Sequence, residues 1–371
     1  MRFRLVGFSV VALWSALSFL CLAEVQQPIK LGMSAPFTGP AAQLGQQFRH
    51  GANLVFDRQN AQGGIGGRPI QLLAADDGYE PLRTVENTRK FLLEQKVFAL
   101  FGYVGTPTSS AILPLLRKHQ LPYLAAFTGA DILRQPDDIF IFNFRASYRE
   151  EAAMQLRYLI DKRQMRRVAL LIQADEFGAS VEQWFLAELA RRQLQPVTIV
   201  RFPRNTTDMQ SAVNQLKATK PDVVLTVGTY LPLAKAIQLG QQQQFAPVYS
   251  VVSFTGIQQL QTQLQQPYQV FASMVVPDPQ DVTSEFVRAY RQAISTENAL
   301  ASDVSLEGFA AATLLVSALK SCTGNLTQAC LMQQLPKQHL YDFDLHFQAE
   351  THQASQQVFL YQLTPLQLLK I

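Results

Sequence analysis

Residues 97–131 constrain the fold more than any other part of the chain. They begin with an apolar run at 97–101, which ends in a glycine and a loop of small and hydroxyl residues. An amphipathic segment at 111–119 follows, and after it come a second apolar run and a second loop with hydroxyl and glycine residues. This order predicts a strand, a helix and a strand, which form a βαβ unit with parallel strands.

The two hydroxyl-rich loops of this unit are candidate ligand-binding segments. Ligands of parallel sheets bind beyond the carboxyl ends of the strands, and each loop follows a strand. Helix N-termini add unpaired N–H groups and a partial positive charge, so this edge favours a carboxylate or another small anion. Helix capping by Ser and Thr is the alternative explanation of either loop alone. The presence of the same chemistry in two adjacent loops favours a ligand site.

Strands and helices alternate in two successive blocks, at residues 29–144 and 168–265. The pattern predicts an α/β protein with two doubly wound lobes, and 371 residues suffice for about two domains. Helices are predicted again after residue 279, and residues 343–347 and 358–363 alternate like the strands of a closing hairpin. A glycine run at 63–67 follows a helix and precedes a strand, which is the reverse of the order in a dinucleotide-binding fingerprint.

The N-terminus has the layout of a signal peptide. Basic residues precede an apolar segment at 5–20 that is short for a membrane span. We expect cleavage after Ala23, so that residues 1–23 are removed and the mature protein is periplasmic. Lipid attachment at Cys21 and an uncleaved anchor are the alternatives. Leu20 disfavours lipid attachment, because a lipoprotein signal has a small residue at that position.

The mature chain keeps two cysteines, Cys322 and Cys330. In an oxidising compartment they could close a small loop between two helices as a disulfide. Their spacing and the lack of a nearby histidine disfavour a metal site. They also do not form a CxxC pair, which disfavours a redox role.

Composition and motifs disfavour several classes of function. The formal net charge of +4 is small and dispersed, so we expect no nucleic-acid partner. The five histidines have no spacing typical of a catalytic triad or a metal site. The sequence also contains no GxSxG, HExxH or Walker motif. We therefore expect neither enzymatic activity nor a cofactor or metal.

Segments with a specific order and spacing run through nearly all of the mature chain. They are IKLGMSAPFTGPAAQLGQQFRHGANLVFDRQNAQGGIGGRPIQLLAADDGYEP, FGYVGTPTSS, LPYLAAFTGADILR, FNFRASYREE, DEFGAS and PDVVLTVGTYLPLA. Through these segments the chain resembles the periplasmic solute-binding proteins of the branched-chain amino-acid ABC importer family, which have the type I periplasmic binding fold.

The resemblance implies two doubly wound, Rossmann-like lobes joined by three hinge crossings. The crossings would fall near residues 143–146, 274–277 and 341–343. Lobe 1 would then contain residues 24–146 and 275–341, and lobe 2 residues 147–274 and 342–371.

The resemblance also implies an extracytoplasmic function in transport. A small ligand would bind between the lobes, the lobes would close on it, and the closed form would deliver it to the membrane permease of an ABC importer. We expect the protein to act as a monomer. The alternative is a sensor that reports the same ligand to a membrane signalling protein and transports nothing.

Five candidate ligand contacts are transferred from the family by position. Thr106 stands where the family uses a Ser or Thr to bind the ligand carboxylate. Phe127 and Thr128 replace the usual small residues of the loop after the fourth strand. In lobe 2, Phe177 stands at a position that is often Tyr, and Tyr230 matches an aromatic residue that covers the ligand.

Other positions differ from those of amino-acid binders. Phe254 and Thr255 match a loop where such proteins place a carboxylate for the ligand's ammonium group, and neither residue is acidic. Tyr148 is a candidate for either a ligand contact or a cap of the hinge helix. Four acidic residues are candidate replacements for the missing carboxylate: Asp175, Glu176, Asp303 and Glu307. The expected ligand is therefore a small carboxylate, an amino acid or a related acid, with an apolar or aromatic body.

Overall fold

The computed structural model describes residues 27–264, 267–295 and 299–371. The predicted signal peptide at 1–23 and Cys21 lie outside these ranges. Among the helices within them, none combines the length and the hydropathy that are needed to cross a membrane.

Two sheets with mostly parallel strands organise the chain. The first sheet contains β1 Ile29–Ala35, β2 Ile70–Asp76, β3 Ala99–Phe101, β4 Tyr123–Leu124 and β5 Ile141–Phe142, in the order β2-β1-β3-β4-β5. The second contains β6 Val168–Gln173, β7 Thr198–Phe202, β8 Val223–Val227, β9 Val248–Val251, β10 Val270–Met274, β11 Phe359–Leu363 and β12 Leu368–Lys370, in the order β12-β11-β10-β9-β8-β6-β7. Among the strand pairs of the described residues, β10–β11 and β11–β12 alone are antiparallel.

Helices connect the strands as the alternation predicts. They are α1 Ala42–Ala61, α2 Pro81–Leu93, α3 Thr106–His119, α4 Tyr148–Leu156, α5 Glu176–Arg191, α6 Gln210–Thr219, α7 Tyr230–Gln242, α8 Ile257–Gln263, α9 Glu285–Ile294, α10 Asp303–Lys320 and α11 Gln328–Gln334. A π-helical segment, Arg157–Lys162, continues α4. The predicted fold class, α/β with two doubly wound lobes, is confirmed. We use first lobe for the first sheet with α1–α3 and α9–α11, and second lobe for the second sheet with α4–α8.

Close backbone contacts attach α10 to the first lobe. A Cβ atom at Gly51 of α1 would lie 1.8 Å from the carbonyl oxygen of Ser305. A Cβ atom at Gly308 of α10 would lie 2.2 Å from the carbonyl oxygen of Phe48. Both positions therefore require glycine, and the helices that follow the second crossing pack on α1.

The chain passes between the lobes after β5, after β10 and before β11. Residues near the predicted third crossing contact the first lobe: Asp342 accepts hydrogen bonds from the backbone N–H groups of Glu285 (2.9 Å) and Phe286 (2.8 Å) at the start of α9. Phe347 packs on Phe142 of β5, with ring centroids 6.5 Å apart. These contacts favour a third crossing after residue 347, and the exact lobe boundaries stay a prediction.

The predicted closing hairpin is wrong in its first strand. The hairpin consists of β11 and β12, and residues 343–347 form no strand. Their alternation arises because Phe343 is buried against the rings of Phe286 (5.5 Å) and Phe144 (6.0 Å), whereas the adjacent Asp344 is exposed. Ring packing inside a loop therefore produces the same period as a half-buried strand.

Cys322 and Cys330 form a disulfide, with Cα atoms 5.9 Å apart. The bond joins the segment after α10 to α11 and closes the short loop between these two helices.

Candidate functional site

Loops at the carboxyl ends of strands from both lobes meet in the middle of the molecule. Phe254 follows β9 of the second lobe. Its ring centroid lies 5.4 Å from that of Phe127, which follows β4, and 6.0 Å from that of Tyr79, which follows β2. We call the region between these loops the cleft. It lies where ligands of parallel sheets bind.

Three hydroxyl groups meet at the start of α3. The Oγ1 atoms of Thr106 and Thr128 lie 2.7 Å apart, and the Thr128 Oγ1 atom lies 3.2 Å from the hydroxyl of Tyr148. All three side chains are buried. Burial raises the pKa of Tyr148 to about 12, so its hydroxyl remains protonated at neutral pH. The hydroxyl cluster of Thr106, Thr128 and Tyr148 therefore lies beside a helix N-terminus, where a small anion is favoured.

Aromatic rings from both lobes surround this hydroxyl cluster. Phe177 lies 4.5 Å from Phe254 and 5.6 Å from Tyr148, measured between ring centroids. With Phe127 and Tyr79 these rings form an aromatic cluster in which every member is at most 1% exposed. Such rings pack well against flat or apolar groups. The cleft thus combines hydroxyl donors with an apolar lining.

Two other predicted contacts have different partners. The hydroxyl of Thr255 donates to the carbonyl oxygen of Gly228 (3.0 Å) within the second lobe. Tyr230 lies at the rim, where its hydroxyl accepts a hydrogen bond from the backbone N–H of Gln43 (3.3 Å) in the first lobe. Tyr230 also lines an open groove of about 490 Å³ that is rich in glutamine. It therefore bridges the lobes at the edge of the cleft.

Glu307 forms a buried ion pair with Arg145 of the first crossing. The Arg145 Nε atom lies 3.1 Å from Glu307 Oε1, and the two side chains are only 1% and 3% exposed. The same guanidinium donates to the hydroxyl of Ser253 (3.0 Å) and lies 4.2 Å from the ring centroid of Phe127. The pair therefore links α10, the first crossing and the loop that carries Phe254.

Two more buried carboxyl groups lie near this pair. Glu151 of α4 accepts hydrogen bonds from the backbone N–H of Ser253 (2.7 Å) and from the hydroxyl of Ser273 (2.5 Å). Asp303 accepts from the backbone N–H of Ile257 (2.9 Å), across the two lobes. We call Arg145, Glu151, Asp303 and Glu307 the hinge cluster.

Burial raises the pKa of all three carboxyl groups in the hinge cluster. It raises that of Glu307 to about 7 and that of Asp303 to about 6, and it also raises that of Glu151. The Arg145 guanidinium lowers the pKa of each group and so opposes the rise. Repulsion from Asp303 and Glu151 raises the pKa of Glu307 further. Because burial outweighs the attraction of the single guanidinium, Glu307 and Asp303 bind protons close to neutral pH.

The acidic residues proposed as ammonium acceptors have other roles. Asp175 caps α5 by accepting from the backbone N–H groups of Phe177 (3.1 Å) and Gly178 (3.2 Å). Glu176 is exposed. Asp303 and Glu307 belong to the hinge cluster. Each of the four candidates is therefore either engaged by the protein or directed to solvent.

Polar contacts also connect the lobes around the rim. Arg204, which follows β7, donates to the Glu80 carboxylate (2.8 Å) of the first lobe. Trp184 of α5 donates through Nε1 to the carboxylate of Asp131 (2.6 Å). Together with the bonds of Tyr230 and Asp303, these contacts hold the two lobes against each other.

Sequence reasoning missed Tyr79, Arg145 and Arg204. Tyr79 lies in ADDGYEP directly after β2, so its place at a strand's carboxyl end was the available signal. Arg145 is a charged residue in the otherwise apolar FNFRA of the first crossing. The sequence carried no local signal for Arg204, whose partners lie in the other lobe.

A family model described as periplasmic binding protein matches residues 28–365. The chain belongs to this family. Among curated relatives, it is 27% identical to Leu/Ile/Val-binding protein homolog 7 of Brucella melitensis over 236 residues, which are 61% of this chain and 57% of the relative. The match thus spans less than two thirds of that relative's length. The resemblance found in the sequence is confirmed.

Solved structures support the same assignment. A possible leucine/isoleucine/valine-binding protein from Rhodopirellula baltica superimposes with a TM-score of 0.87 at 31% identity, covering 94% of this chain and 96% of that one. A solute-binding protein from R. palustris in complex with benzoate superimposes with a TM-score of 0.83 at 18% identity, covering 93% and 95%. The second likeness shows the fold alone. As a periplasmic binding protein, the chain is of an extracytoplasmic, ligand-binding type.

Proposed function

We propose that this protein captures a small carboxylate with an apolar or aromatic body and delivers it to the membrane permease of an ABC importer. The observation that carries the proposal is the hydroxyl cluster at the start of α3, surrounded by the aromatic cluster. A carboxylate there replaces the bonds among Thr106, Thr128 and Tyr148 as the acceptor of their hydroxyl groups and interacts favourably with the helix N-terminus. The rings then pack against the ligand body.

The charges of the cleft favour an acid without an ammonium group. A desolvated ammonium needs a carboxylate or carbonyl acceptor. Phe254 stands where the resemblance places that acceptor, and the four acidic candidates are engaged elsewhere or exposed. An aromatic or branched aliphatic acid fits these surroundings better than an amino acid does.

Lobe closure is the mechanism. The first lobe supplies Thr106 and Thr128, and the second supplies Phe177 and Phe254, so a ligand contacts both halves only when they are together. Bound ligand favours closure to the extent that it makes more contacts in the closed form than in the open form. The closed form also presents one continuous surface across both lobes, which a permease can recognise.

Isothermal titration of the mature protein tests the ligand class. Benzoate, phenylacetate and 4-methylpentanoate are compared with phenylalanine and leucine, and we expect binding of acids that lack the ammonium group. Thr106→Ala should weaken the binding of the acid by about 1–3 kcal/mol, because it removes a buried hydrogen bond to the ligand, and Thr106→Ser should retain most of the affinity. Binding of the amino acids alone, or an unchanged affinity in Thr106→Ala, would contradict the proposal.

Uptake measurements test the transport step. A strain that lacks this chain should lose uptake of the acid that binds in titration, and the chain in trans should restore it. Normal uptake in that strain, together with binding in vitro, would refute the delivery step and favour a sensor.

A further inference from the structure

Tyr79 carries a buried hydroxyl that lacks a close hydrogen bond. The side chain is 1% exposed, and its hydroxyl makes no close hydrogen bond in the described part of the chain, although the Gln173 side chain lies near enough to interact with it. The ring lies beside Phe254 and against Gly105, where a Cβ atom would come within 2.3 Å of Tyr79 Cε2. Because Gly105 immediately precedes Thr106, the Tyr79 ring belongs to the cleft.

Arg204 brings a second unused donor near the Tyr79 ring from the other lobe. Its guanidinium carbon lies 5.9 Å from the centroid of the Tyr79 ring. One terminal nitrogen donates to Glu80 (2.8 Å), and the other lies 3.6 Å from Asp175 Oδ2. The Nε atom is buried and has no hydrogen-bond partner among the described residues.

Both groups act as donors at neutral pH. Burial raises the pKa of the Tyr79 hydroxyl well above its ordinary value, and the charge of Asp175 adds to this rise, while Gln173 and Arg204 partly oppose it. An arginine side chain has only donors. A buried donor without an acceptor is costly, so these two groups favour an oxygen atom between the lobes.

We propose that Tyr79 and Arg204 form a second polar subsite of the cleft, which selects acids that carry a further oxygen acceptor, a hydroxyl or a second carboxylate. The proposal rests on the proposed function, because the first carboxylate is taken to bind at the hydroxyl cluster. A ligand oxygen at the subsite accepts from both lobes and so also favours closure. An acid with only hydrocarbon at that point leaves both donors unpaired, which is how a hydrogen-bonding site rejects an analogue without the polar group.

Titration with matched acids tests the subsite. The probes are benzoate, the three hydroxybenzoates and the three benzenedicarboxylates, each titrated into the wild type, Tyr79→Phe and Tyr249→Phe. Tyr249 is the matched control because its hydroxyl is also buried without a partner, but it lies near α7, where a Cβ atom at Gly240 would be 3.1 Å away. We expect at least one oxygenated acid to bind the wild type tenfold or more tightly than benzoate, because leaving a buried donor unsatisfied weakens binding by about 5- to 150-fold.

The variants separate recognition from packing. Tyr79→Phe should reduce the preference for the oxygenated acid over benzoate to about threefold or less, whereas Tyr249→Phe should keep the preference. Arg204→Gln should also reduce the preference. Glu80→Gln should keep it, because that variant weakens the contact between the lobes and leaves the Nε donor in place.

The outcomes distinguish the two proposals. If benzoate binds and no oxygenated acid binds more tightly, or if Tyr79→Phe weakens benzoate and the oxygenated acid equally, the subsite is refuted and the proposed function stands. If no acid in the series binds, both are refuted.

Discussion

Replacing Arg145 tests whether the hinge cluster depends on its guanidinium. Arg145→Met keeps a long apolar side chain but removes the ion-pair partner of Glu307. The side chains of Arg145 and Glu307 are only 1% and 3% exposed. Removing one partner of a buried ion pair costs about 3–5 kcal/mol, because the remaining charge stays desolvated. The variant also loses the contact with the Phe127 ring and the bond to Ser253. At pH 8 we expect the free energy of unfolding to fall by about 3–5 kcal/mol.

The loss of unfolding free energy in Arg145→Met should be smaller at acidic pH. The pKa of Glu307 is raised from 4.5 to about 7, so the folded protein binds more protons than the unfolded chain between these pH values. Stability from this group is therefore present below pH 4.5 and falls by about 3 kcal/mol as the pH rises through 7. Without the guanidinium the carboxyl groups are protonated more readily, so the variant at pH 5.5 loses less stability than at pH 8.

Urea unfolding of the ligand-free protein at pH 5.5 and pH 8 measures both effects. Arg83→Met is the control, because Arg83 donates to the Asp76 carboxylate (2.9 Å) but both side chains are partly exposed, at 49% and 25%. That control should cost no more than about 1 kcal/mol. A loss below about 1 kcal/mol for Arg145→Met at pH 8, or equal losses at the two pH values, would refute the reasoning.

Three further changes have expected outcomes. Gly51→Ala should lower the free energy of urea unfolding by about 3 kcal/mol or more, because the new Cβ atom meets the Ser305 carbonyl oxygen. Cys322→Ser should lower it by about 2–3 kcal/mol, because the unfolded chain loses a short closed loop. Glu80→Gln should weaken ligand binding in titration by no more than about fivefold, because its ion pair with Arg204 is partly exposed.

A specific result would contradict each of these three predictions. Wild-type stability of Gly51→Ala would mean that α1 and α10 separate at low cost. If Cys322→Ser is as stable as the wild type, the loop that the disulfide closes is already ordered in the unfolded chain. Loss of all ligand binding in Glu80→Gln would make this rim contact essential for closure.

The sequence predicted the elements that depend on local pattern. The apolar runs and the hydroxyl loops of residues 97–131 became β3, α3 and β4, because a buried parallel strand needs a continuous apolar run. Thr106 and Thr128 follow neighbouring strands, and their hydroxyl groups bond directly. Parallel pairing of adjacent strands explains why two loops of similar chemistry meet.

Features that depend on partners distant in sequence could not be predicted from the sequence. Arg145 and Glu307 are 162 positions apart, and nothing local shows that a charged residue in an apolar crossing is paired. Tyr79 follows two acidic turn residues that dominate the local pattern. The alternation at Phe343 comes from rings packed around a loop, so its period carried no information about a strand.

Asp303 makes a final prediction about pH and ligand affinity. Its carboxylate accepts from Ile257 across the lobes, so opening the lobes exposes it to water, and its raised pKa of about 6 belongs to the closed form. Arg145 faces it, and Glu307 and Tyr290 lie near it. A group that binds its proton more tightly in the closed form favours closure as the pH falls.

We therefore expect the Kd of the bound acid to fall about twofold between pH 8 and pH 6 and about fourfold by pH 5.5, while the ligand's own carboxyl group stays ionised. Titration across this range measures the effect, and Asp303→Asn should flatten the profile, because the amide keeps the acceptor for Ile257 but binds no proton. A Kd that rises on acidification, or an equally steep profile in Asp303→Asn, would mean that the carboxyl group stays equally buried in the open form. The bond between α8 and α10 would then not report on closure.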